Sequence, residues 1–304
     1  MMTKPLPEES VTVPLPSRDV RLQARIFHAI PGGQASDYGV VISHPYGPLG
    51  GDLHNNVVRE LAASFGHLGA STLRYNMRGV GKSSGRTSWT AEPEACDLAA
   101  LIEWWTQDSP TTPWTAPDGV EYPRSRPSKI ILVGYSFGSL ISLPAARSLP
   151  LAGLLLISPP SRVSWALTAL RTSHFDQPLP LHLPKLAVLG DKDQFSSESH
   201  MLAFVARVFG LGESRDAVPL ESVAVDNGRE VVQVARMSSV NGKVVVVRDR
   251  DHFWVGEEDG VVDVVEAWVR DVFGWVVGDA GPGRNDPSVS SRGVLAAPER
   301  TRSE

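Results

Sequence analysis

A serine flanked by two glycines, in the run Gly134-Tyr135-Ser136-Phe137-Gly138, is the strongest chemical signal in the sequence. It follows an apolar run at 129–133 that is typical of a buried strand, and it precedes a helix-like run at 139–148. A sharp strand-to-helix turn of this kind exposes the serine Oγ above a sheet, and its crowding requires glycine neighbours. We therefore predict that Ser136 is a nucleophile; the alternative is a serine that caps an ordinary helix.

Carboxylates and a histidine follow two later strand-like runs. Asp191 and Asp193 come after the first of these runs, and Asp251 and His252 come after the second. A serine hydroxyl needs an adjacent base that a third group orients, and after such a turn the chain order is serine, acid, histidine. His252 is thus a candidate base, and either Asp191 or Asp193 is a candidate acid. The alternatives are a loop histidine paired with Asp251 and an aspartate that is only a surface charge.

These side chains need one sheet edge to bring them together. Short, wholly apolar strand-like runs alternate with helix-like runs over most of the chain, and the first two strands suggest an antiparallel pair. Wholly apolar strands indicate a sheet buried on both faces, and the alternation indicates parallel βαβ units. We predict an α/β fold with a doubly wound, mostly parallel sheet and an antiparallel N-terminal edge. Open sheets of this kind carry their ligands at the carboxyl ends of the strands.

Composition shifts along the chain predict its domain limits. We expect a flexible leader at 1–9, one domain at 10–278 and a disordered tail at 279–304, which is rich in Gly, Pro, Ser and Arg. Three stretches interrupt the alternation: a Pro- and Thr-rich surface loop near 108–128, a short cap at 161–184, and an insertion near 212–242. The last holds two Asn-Gly pairs, which predict β-hairpin turns.

Composition also excludes several classes of protein. The chain has 304 residues, of which 42% are hydrophobic, and a net charge of −5, so it can bury a large core and has no basic domain for nucleic acid. Its one cysteine, Cys96, excludes a disulfide framework, and we expect it on the inward face of a helix at 93–105. No apolar run reaches the roughly 20 residues of a membrane span. We expect a soluble, cytoplasmic protein.

Two further segments carry a family resemblance together with the serine motif. They read His44-Pro45-Tyr46-Gly47-Pro48-Leu49-Gly50-Gly51 and Arg78-Gly79-Val80-Gly81-Lys82-Ser83. With these motifs the chain resembles the α/β-hydrolase superfamily, and within it the small, lidless dienelactone-hydrolase-like and prolyl-oligopeptidase-like serine hydrolases. The motifs are specific for the fold and say little about the substrate, since this scaffold hosts many chemistries.

The resemblance implies a role for each candidate residue. Ser136 matches the nucleophile of the family, and His252 matches its general base. Asp193 matches its acid, because it stands third after the glycine in the segment Gly190-Asp191-Lys192-Asp193. The resemblance therefore favours Asp193 over Asp191.

The resemblance also implies an oxyanion hole. The loop that holds His44-Pro45-Tyr46 supplies one of its donors in the family, and the residue after the nucleophile supplies the other. Proline has no backbone N–H, so Pro45 cannot donate. The implied donors are the N–H groups of Tyr46 and Phe137, and His44 is implied to fix the loop.

These features predict a serine hydrolase that cleaves a carboxylic ester or thioester, with amides as a further option, through an acyl-enzyme. No metal or organic cofactor is implied, and the expected partner is a small acyl substrate. The alternatives are a non-catalytic binding or scaffold protein of the same fold and an enzyme that transfers the acyl group to an alcohol or amine. The cap offers Trp165, Leu167, Leu170 and Phe175 as an apolar wall for the substrate.

Overall fold

The computed structural model describes residues 7–169, 171–212, 218–224 and 231–275. Twelve strands are found in this part of the chain: β1 (Glu9–Leu15), β2 (Val20–Phe27), β3 (Tyr38–Ser43), β4 (Ser71–Tyr75), β5 (Trp114–Thr115), β6 (Glu121–Tyr122), β7 (Lys129–Tyr135), β8 (Gly153–Ile157), β9 (Lys185–Gly190), β10 (Glu221–Ala224), β11 (Val231–Met237) and β12 (Gly242–Val247). The α-helices of the same part are α1 (Asn56–His67), α2 (Glu92–Glu103), α3 (Phe137–Ser148), α4 (Ser164–Leu167), α5 (Thr172–Phe175), α6 (Glu198–Phe209) and α7 (Glu258–Phe273). None of the described helices is both long enough and apolar enough to cross a bilayer.

Ten of the strands form one sheet in the order β1-β2-β4-β3-β7-β8-β9-β12-β11-β10. The six central strands, from β4 to β12, run parallel to one another. The strands at each end, β1 with β2 and β10 with β11, run antiparallel to their neighbours. The predicted fold class, a mostly parallel sheet with an antiparallel N-terminal edge, is confirmed. The carboxyl ends of the six parallel strands lie along one side of this sheet, which we call the carboxyl edge.

The sheet is buried on both faces because its central strands are apolar at successive positions. All five residues of β8 are buried, and so are the last six residues of β7. Helices α2, α3 and α6 cover one face, where Leu98, Leu140 and Phe204 belong to one core cluster. Helices α1 and α7 cover the other face, where Val58 and Val265 belong to a second cluster. This is the doubly wound arrangement, and it leaves the loops at the carboxyl edge free to carry chemistry.

The predicted leader at 1–9 needs a correction at its end. Strand β1 begins at Glu9, whose carboxylate accepts hydrogen bonds from Arg124 and contacts the buried His28 ring at 2.9 Å. Glu8 accepts a hydrogen bond of 3.0 Å from Nε of Arg74. These two glutamates look like solvated leader charges in the sequence, and only the tertiary fold supplies their partners. Residues 1–6 and the predicted tail at 279–304 lie outside the described residues.

The two predicted insertions contain short strands. Strands β5 and β6 pair inside the 108–128 stretch, which was expected to be a loop. Strands β10 and β11 lie within 212–242 and extend the main sheet beyond β12. Strands β11 and β12 do form a hairpin, but four residues, 238–241, connect them, and Gly242 already belongs to β12. Asn241 has a φ of 49° and Gly242 has no positive φ, so this is not the two-residue Asn-Gly turn, in which both residues need a positive φ. The other pair, Asn227-Gly228, lies outside the described residues.

The prediction that Cys96 faces the core is wrong: the Cys96 side chain is exposed. The buried face of α2 is shifted by one position and includes two acidic residues, Glu94 and Asp97. Glu94 accepts a hydrogen bond of 2.7 Å from the Ser88 amide, and Asp97 accepts one of 2.6 Å from Nε of Arg78. The buried face differs from the apolar pattern because these two carboxylates have partners inside the fold.

Candidate active site

Ser136 lies at the turn between β7 and α3, with a φ of 54° and a ψ of −120°. A positive φ is strained for a residue with a side chain, and such strain persists only where the surrounding structure imposes it. Both flanking glycines are required by close backbone contacts. A Cβ on Gly134 would lie 2.4 Å from the Gly138 carbonyl oxygen, and a Cβ on Gly138 would lie 2.3 Å from the Ser43 carbonyl oxygen. The turn therefore packs directly against the end of β3.

We expect Gly138→Ala to lower the free energy of unfolding by about 2 kcal/mol or more, because overpacking a rigid site costs about 1–3 kcal/mol. The atom that the new methyl group meets belongs to the backbone, so it cannot rotate away. Urea denaturation measures the change. Gly33→Ala is the matched control, because its Cβ would meet only the Ile30 carbonyl oxygen at 3.5 Å. Equal stability of the two variants would contradict the packing of this turn.

The structure brings Ser136, His252 and Asp193 into one chain of hydrogen bonds. Nε2 of His252 lies 2.8 Å from the Ser136 Oγ, and Nδ1 of His252 lies 2.6 Å from Oδ2 of Asp193. All three residues are buried. With the ring proton on Nδ1, the histidine donates to Asp193 and accepts the serine proton at Nε2. The three residues follow the ends of β7, β9 and β12, so the parallel sheet delivers them to one edge.

The structure directs the two competing carboxylates elsewhere. Oδ1 of Asp193 accepts hydrogen bonds from the Phe195 and Ser196 amides, which leaves its Oδ2 for His252. Asp191, two residues earlier, forms an ion pair of 3.3 Å with Arg248. Asp251 accepts hydrogen bonds from two amides of its own turn, at Phe253 and Trp254. Among the residues that the structure describes, Asp193 alone is hydrogen-bonded to the His252 ring through a carboxylate.

Several contacts that the sequence analysis missed hold the His252 loop in place. The Tyr135 hydroxyl donates a hydrogen bond of 2.7 Å to the His252 carbonyl oxygen. The Gln194 side chain accepts one of 3.1 Å from the His252 amide. Nε1 of Trp254 donates one of 3.0 Å to the Ser158 hydroxyl. Tyr135 and Gln194 directly adjoin Ser136 and Asp193 in sequence, and this adjacency is the only signal that could have marked them.

The two residues of the predicted oxyanion hole lie side by side. The Tyr46 and Phe137 rings meet edge to face with their centroids 5.1 Å apart. The Tyr46 carbonyl accepts hydrogen bonds from Leu49 and Gly51, which close the loop after β3 into a tight turn. Phe137 is the first residue of α3, where backbone N–H groups have no partner within the helix. Among the described residues, neither the Tyr46 nor the Phe137 amide has a hydrogen-bond acceptor.

Comparisons with known proteins place the fold in a superfamily. No protein-family model matches the chain. A serine hydrolase without a lid from Xanthomonas campestris superposes with a TM-score of 0.61 and 22% identity, covering 92% of this chain and 100% of that one. A serine hydrolase homologue from Coxiella burnetii gives a TM-score of 0.59 and 26% identity, covering 89% and 100%. The chain belongs to the α/β-hydrolase superfamily. The narrower subgroup stays a prediction.

Two other proteins resemble this α/β-hydrolase, one at lower sequence identity and one over a shorter part of the chain. A Pyrococcus furiosus esterase superposes with a TM-score of 0.60 and 14% identity, covering 88% of this chain and 94% of that one. An uncharacterised protein of Rickettsia prowazekii is 27% identical over 169 residues, which are 55% of this chain. The match spans only 62% of the length of that curated relative.

In this α/β-hydrolase, His44 is buried in the loop that precedes Tyr46 and makes contacts on both ring nitrogens. Nε2 accepts a hydrogen bond of 3.0 Å from the Met77 amide, and Nδ1 donates one of 2.5 Å to the Pro45 carbonyl. Burial lowers the pKa of the His44 imidazole to about 4, so the ring is neutral near pH 7. His44 therefore ties the loop after β3 to the loop after β4. The structural role implied for His44 agrees with these contacts.

We expect the stability of this α/β-hydrolase to fall between pH 6.5 and pH 4. A histidine in the unfolded chain has a pKa near 6.5, whereas burial lowers the pKa of His44 to about 4. Between these two values the unfolded chain binds a proton at this residue and the folded chain does not, which favours unfolding. The contribution is fully present above pH 6.5, and at pH 4 about 3 kcal/mol is lost. Burial also lowers the pKa of His28, which adds a loss of the same sign.

The variant His44→Gln separates the two histidines, because its amide keeps an acceptor for the Met77 amide but cannot be protonated. Urea denaturation at pH 7 and at pH 4.5 measures the loss for each protein. The loss should be smaller in the variant than in the natural chain. An unchanged loss would contradict the assignment to His44.

The cap of the α/β-hydrolase differs in part from its prediction. The cap holds two short helices, α4 and α5. Phe175 is buried in the core beneath the cap, so it cannot line a substrate site, and Leu167 packs against the same core. Trp165 is exposed, and Leu170 lies outside the described residues. Within the described part of the chain, no three His, Cys, Asp or Glu side chains are grouped to hold a metal ion.

Proposed function

We propose that this chain is a serine hydrolase that cleaves a carboxylic ester through an acyl-enzyme on Ser136. The observation that carries the proposal is the hydrogen-bonded chain from Ser136 through His252 to Asp193, at 2.8 and 2.6 Å. A binding protein of this fold has no need for a strained serine, an oriented base and a buried acid in one line. The Xanthomonas neighbour is a serine hydrolase, the Coxiella neighbour is a serine hydrolase homologue and the Pyrococcus neighbour is an esterase, which supports the same reaction class.

In the proposed first half-reaction, the Ser136 Oγ attacks the carbonyl carbon of the ester while Nε2 of His252 takes the hydroxyl proton. Asp193 holds the imidazole with its Nδ1–H toward the carboxylate and stabilises the imidazolium that forms. The imidazolium then gives its proton to the leaving alkoxide, and the alcohol departs. The acyl group remains on Ser136.

Backbone N–H groups of Tyr46 and Phe137 are the proposed donors to the oxyanion that forms in each half-reaction. Their amides lack other acceptors among the described residues, so they are available to a substrate oxygen. Each such donor is worth about 10²–10³ in kcat. In the second half-reaction water attacks the acyl carbon, His252 takes the water proton and then returns a proton to the Ser136 Oγ, and the carboxylic acid leaves. Neither proposed half-reaction requires a metal or an organic cofactor.

A series of p-nitrophenyl esters of increasing acyl length tests the proposal. We expect release of p-nitrophenolate from at least one member, with saturation kinetics and one equivalent of burst where deacylation is slow. Thioester and amide analogues of the best acyl group rank the three bond types. Adding a primary alcohol and assaying for the transester separates hydrolysis from acyl transfer. Absence of turnover with every acyl length and bond type would favour the non-catalytic alternative.

A further inference from the structure

Two tryptophans of this chain are exposed to an extent that packing does not explain. Trp89 is 82% exposed and Trp165 is 57% exposed. Five of the other six tryptophans are at most 7% exposed, namely Trp105, Trp114, Trp254, Trp268 and Trp275. An indole left in water forgoes the apolar contacts that make tryptophan a core and interface residue. An exposed pair of this kind marks a surface that something else covers.

Both tryptophans lie on segments of the carboxyl edge, the edge that also carries Ser136. Trp89 is in the loop after β4, residues 76–91, which we call the Trp89 loop. Trp165 is on α4, in the cap at 161–184. The Ser161 hydroxyl and the Arg162 amide both donate hydrogen bonds to the Ser196 hydroxyl, at 3.0 and 3.2 Å, in the loop that holds Asp193. An ion pair of 2.8 Å between Arg171 and Glu92 joins the cap to the first turn of α2, just after the Trp89 loop.

These two segments are basic in a chain that is acidic as a whole. Residues 76–91 and 161–171 together hold five arginines and lysines and no acidic residue, whereas the net charge of the chain is −5. Arg78 and Arg171 are paired with Asp97 and Glu92. The other three are Lys82, Arg86 and Arg162, all exposed, and none forms an ion pair with a residue that the structure describes. Their charges are available to an external anionic surface.

We propose that the carboxyl edge docks on an anionic lipid surface through Trp89, Trp165 and these three cations. Tryptophan is enriched where hydrocarbon meets headgroups, because its ring is apolar and its N–H is polar. Basic side chains near such a surface are each worth about 1 kcal/mol of attraction to anionic lipids. A symmetric contact between two copies through this face would bring the cations of both copies into one interface. The repulsion between these like charges disfavours such a dimer.

Docking in this orientation turns the edge of the sheet that carries Ser136 toward the lipid. The substrate class that follows, which rests on the proposed hydrolase function, is an ester whose apolar chain is delivered from the lipid surface instead of from water. Leu49 and Val255 lie on two other loops of the carboxyl edge and are exposed by 75% and 78%. Four loops thus present exposed apolar side chains on the side of the sheet that carries Ser136.

Co-sedimentation with vesicles tests the docking without relying on catalysis. The full chain carrying Ser136→Ala is mixed with vesicles of phosphatidylglycerol and phosphatidylcholine, and separately with vesicles of phosphatidylcholine alone. We expect binding to the anionic vesicles that weakens as salt is added. Adding Trp89→Ser and Trp165→Ser should weaken it at least about tenfold, given the area that an indole buries. Replacing Lys82, Arg86 and Arg162 with glutamine should cost about fivefold for each.

Ile30→Ser is the matched control, because Ile30 is 72% exposed in the turn between β2 and β3, on the opposite edge of the sheet. It should bind the anionic vesicles like the parent, and circular dichroism should show equal melting temperatures for all variants. No binding to anionic vesicles, or an equal loss in the Ile30 variant, would overturn the docking proposal. So would a dimer, detected by sedimentation velocity, that the tryptophan changes dissociate. Vesicle binding by a chain that hydrolyses no ester would instead refute the proposed function and leave the docking intact.

Discussion

Replacing Ser136 with alanine is expected to lower ester hydrolysis by at least about 10⁴-fold and to leave the fold unchanged. The change removes one hydroxyl from a buried site, so little packing is lost, and the nucleophile disappears with it. Initial rates with the best p-nitrophenyl ester measure the loss.

The control for this variant is its circular dichroism spectrum and melting temperature, which should match those of the natural chain. Thr106→Ala is a matched variant, because it also removes a hydroxyl, in this case one bonded to helix carbonyls far from the carboxyl edge. It should keep full activity. An alanine variant at Ser136 that retains more than about a tenth of the activity would show that another group attacks the substrate.

Asp193→Asn is expected to lose at least about 10³ in kcat. An amide keeps the shape of the carboxylate but can hold the imidazole in the wrong tautomer, which can cost roughly 10⁴. The contact that carries this expectation is the 2.6 Å hydrogen bond between Oδ2 of Asp193 and Nδ1 of His252. Single-turnover and steady-state kinetics at a fixed pH of about 7.5 measure kcat and KM separately.

Asp191→Asn and Asp251→Asn are the matched controls, each expected to lose less than about tenfold on the same tautomer argument. Asp191 is paired with Arg248, and Asp251 caps its own turn, so neither carboxylate orients the imidazole. A large loss of kcat in Asp191→Asn together with a normal kcat in Asp193→Asn would assign the acid to Asp191 instead. Full activity in all three variants would refute the proposed role of a carboxylate in this site.

The parts of the site that the sequence predicts are those that depend on strand order. Parallel strands end at one edge, so residues placed after β7, β9 and β12 meet there whatever fills the rest of the sheet. The choice between Asp191 and Asp193 lay beyond this argument, because two residues of one turn share the same strand end. The family spacing favours Asp193, and in the structure the Phe195 and Ser196 amides orient its carboxylate.

What the sequence could not predict rests on long-range partners. The hydrogen bond from Tyr135 to the His252 carbonyl joins residues 117 positions apart, and no local pattern marks either end. The inward turn of Glu94 and Asp97 on α2 depends on Ser88 and Arg78, which belong to the Trp89 loop. The ordered end of the predicted leader depends on Arg74 and Arg124 in the same way, because these arginines pair with the half-buried Glu8 and Glu9. A charged residue in a sequence is predicted to face water. A charged residue that faces the interior instead needs a partner, and only the fold supplies that partner.

Mass-spectrometric mapping of a fluorophosphonate adduct tests the central claim most directly. A fluorophosphonate phosphonylates a serine that a neighbouring base has activated, so it reports the nucleophile without knowledge of the natural substrate. We predict one equivalent of label, located on Ser136 in the peptide that spans the turn between β7 and α3, and no label on the Ser136→Ala or His252→Ala variants. A label on any other residue, or equal labelling of the His252→Ala variant, would contradict the account.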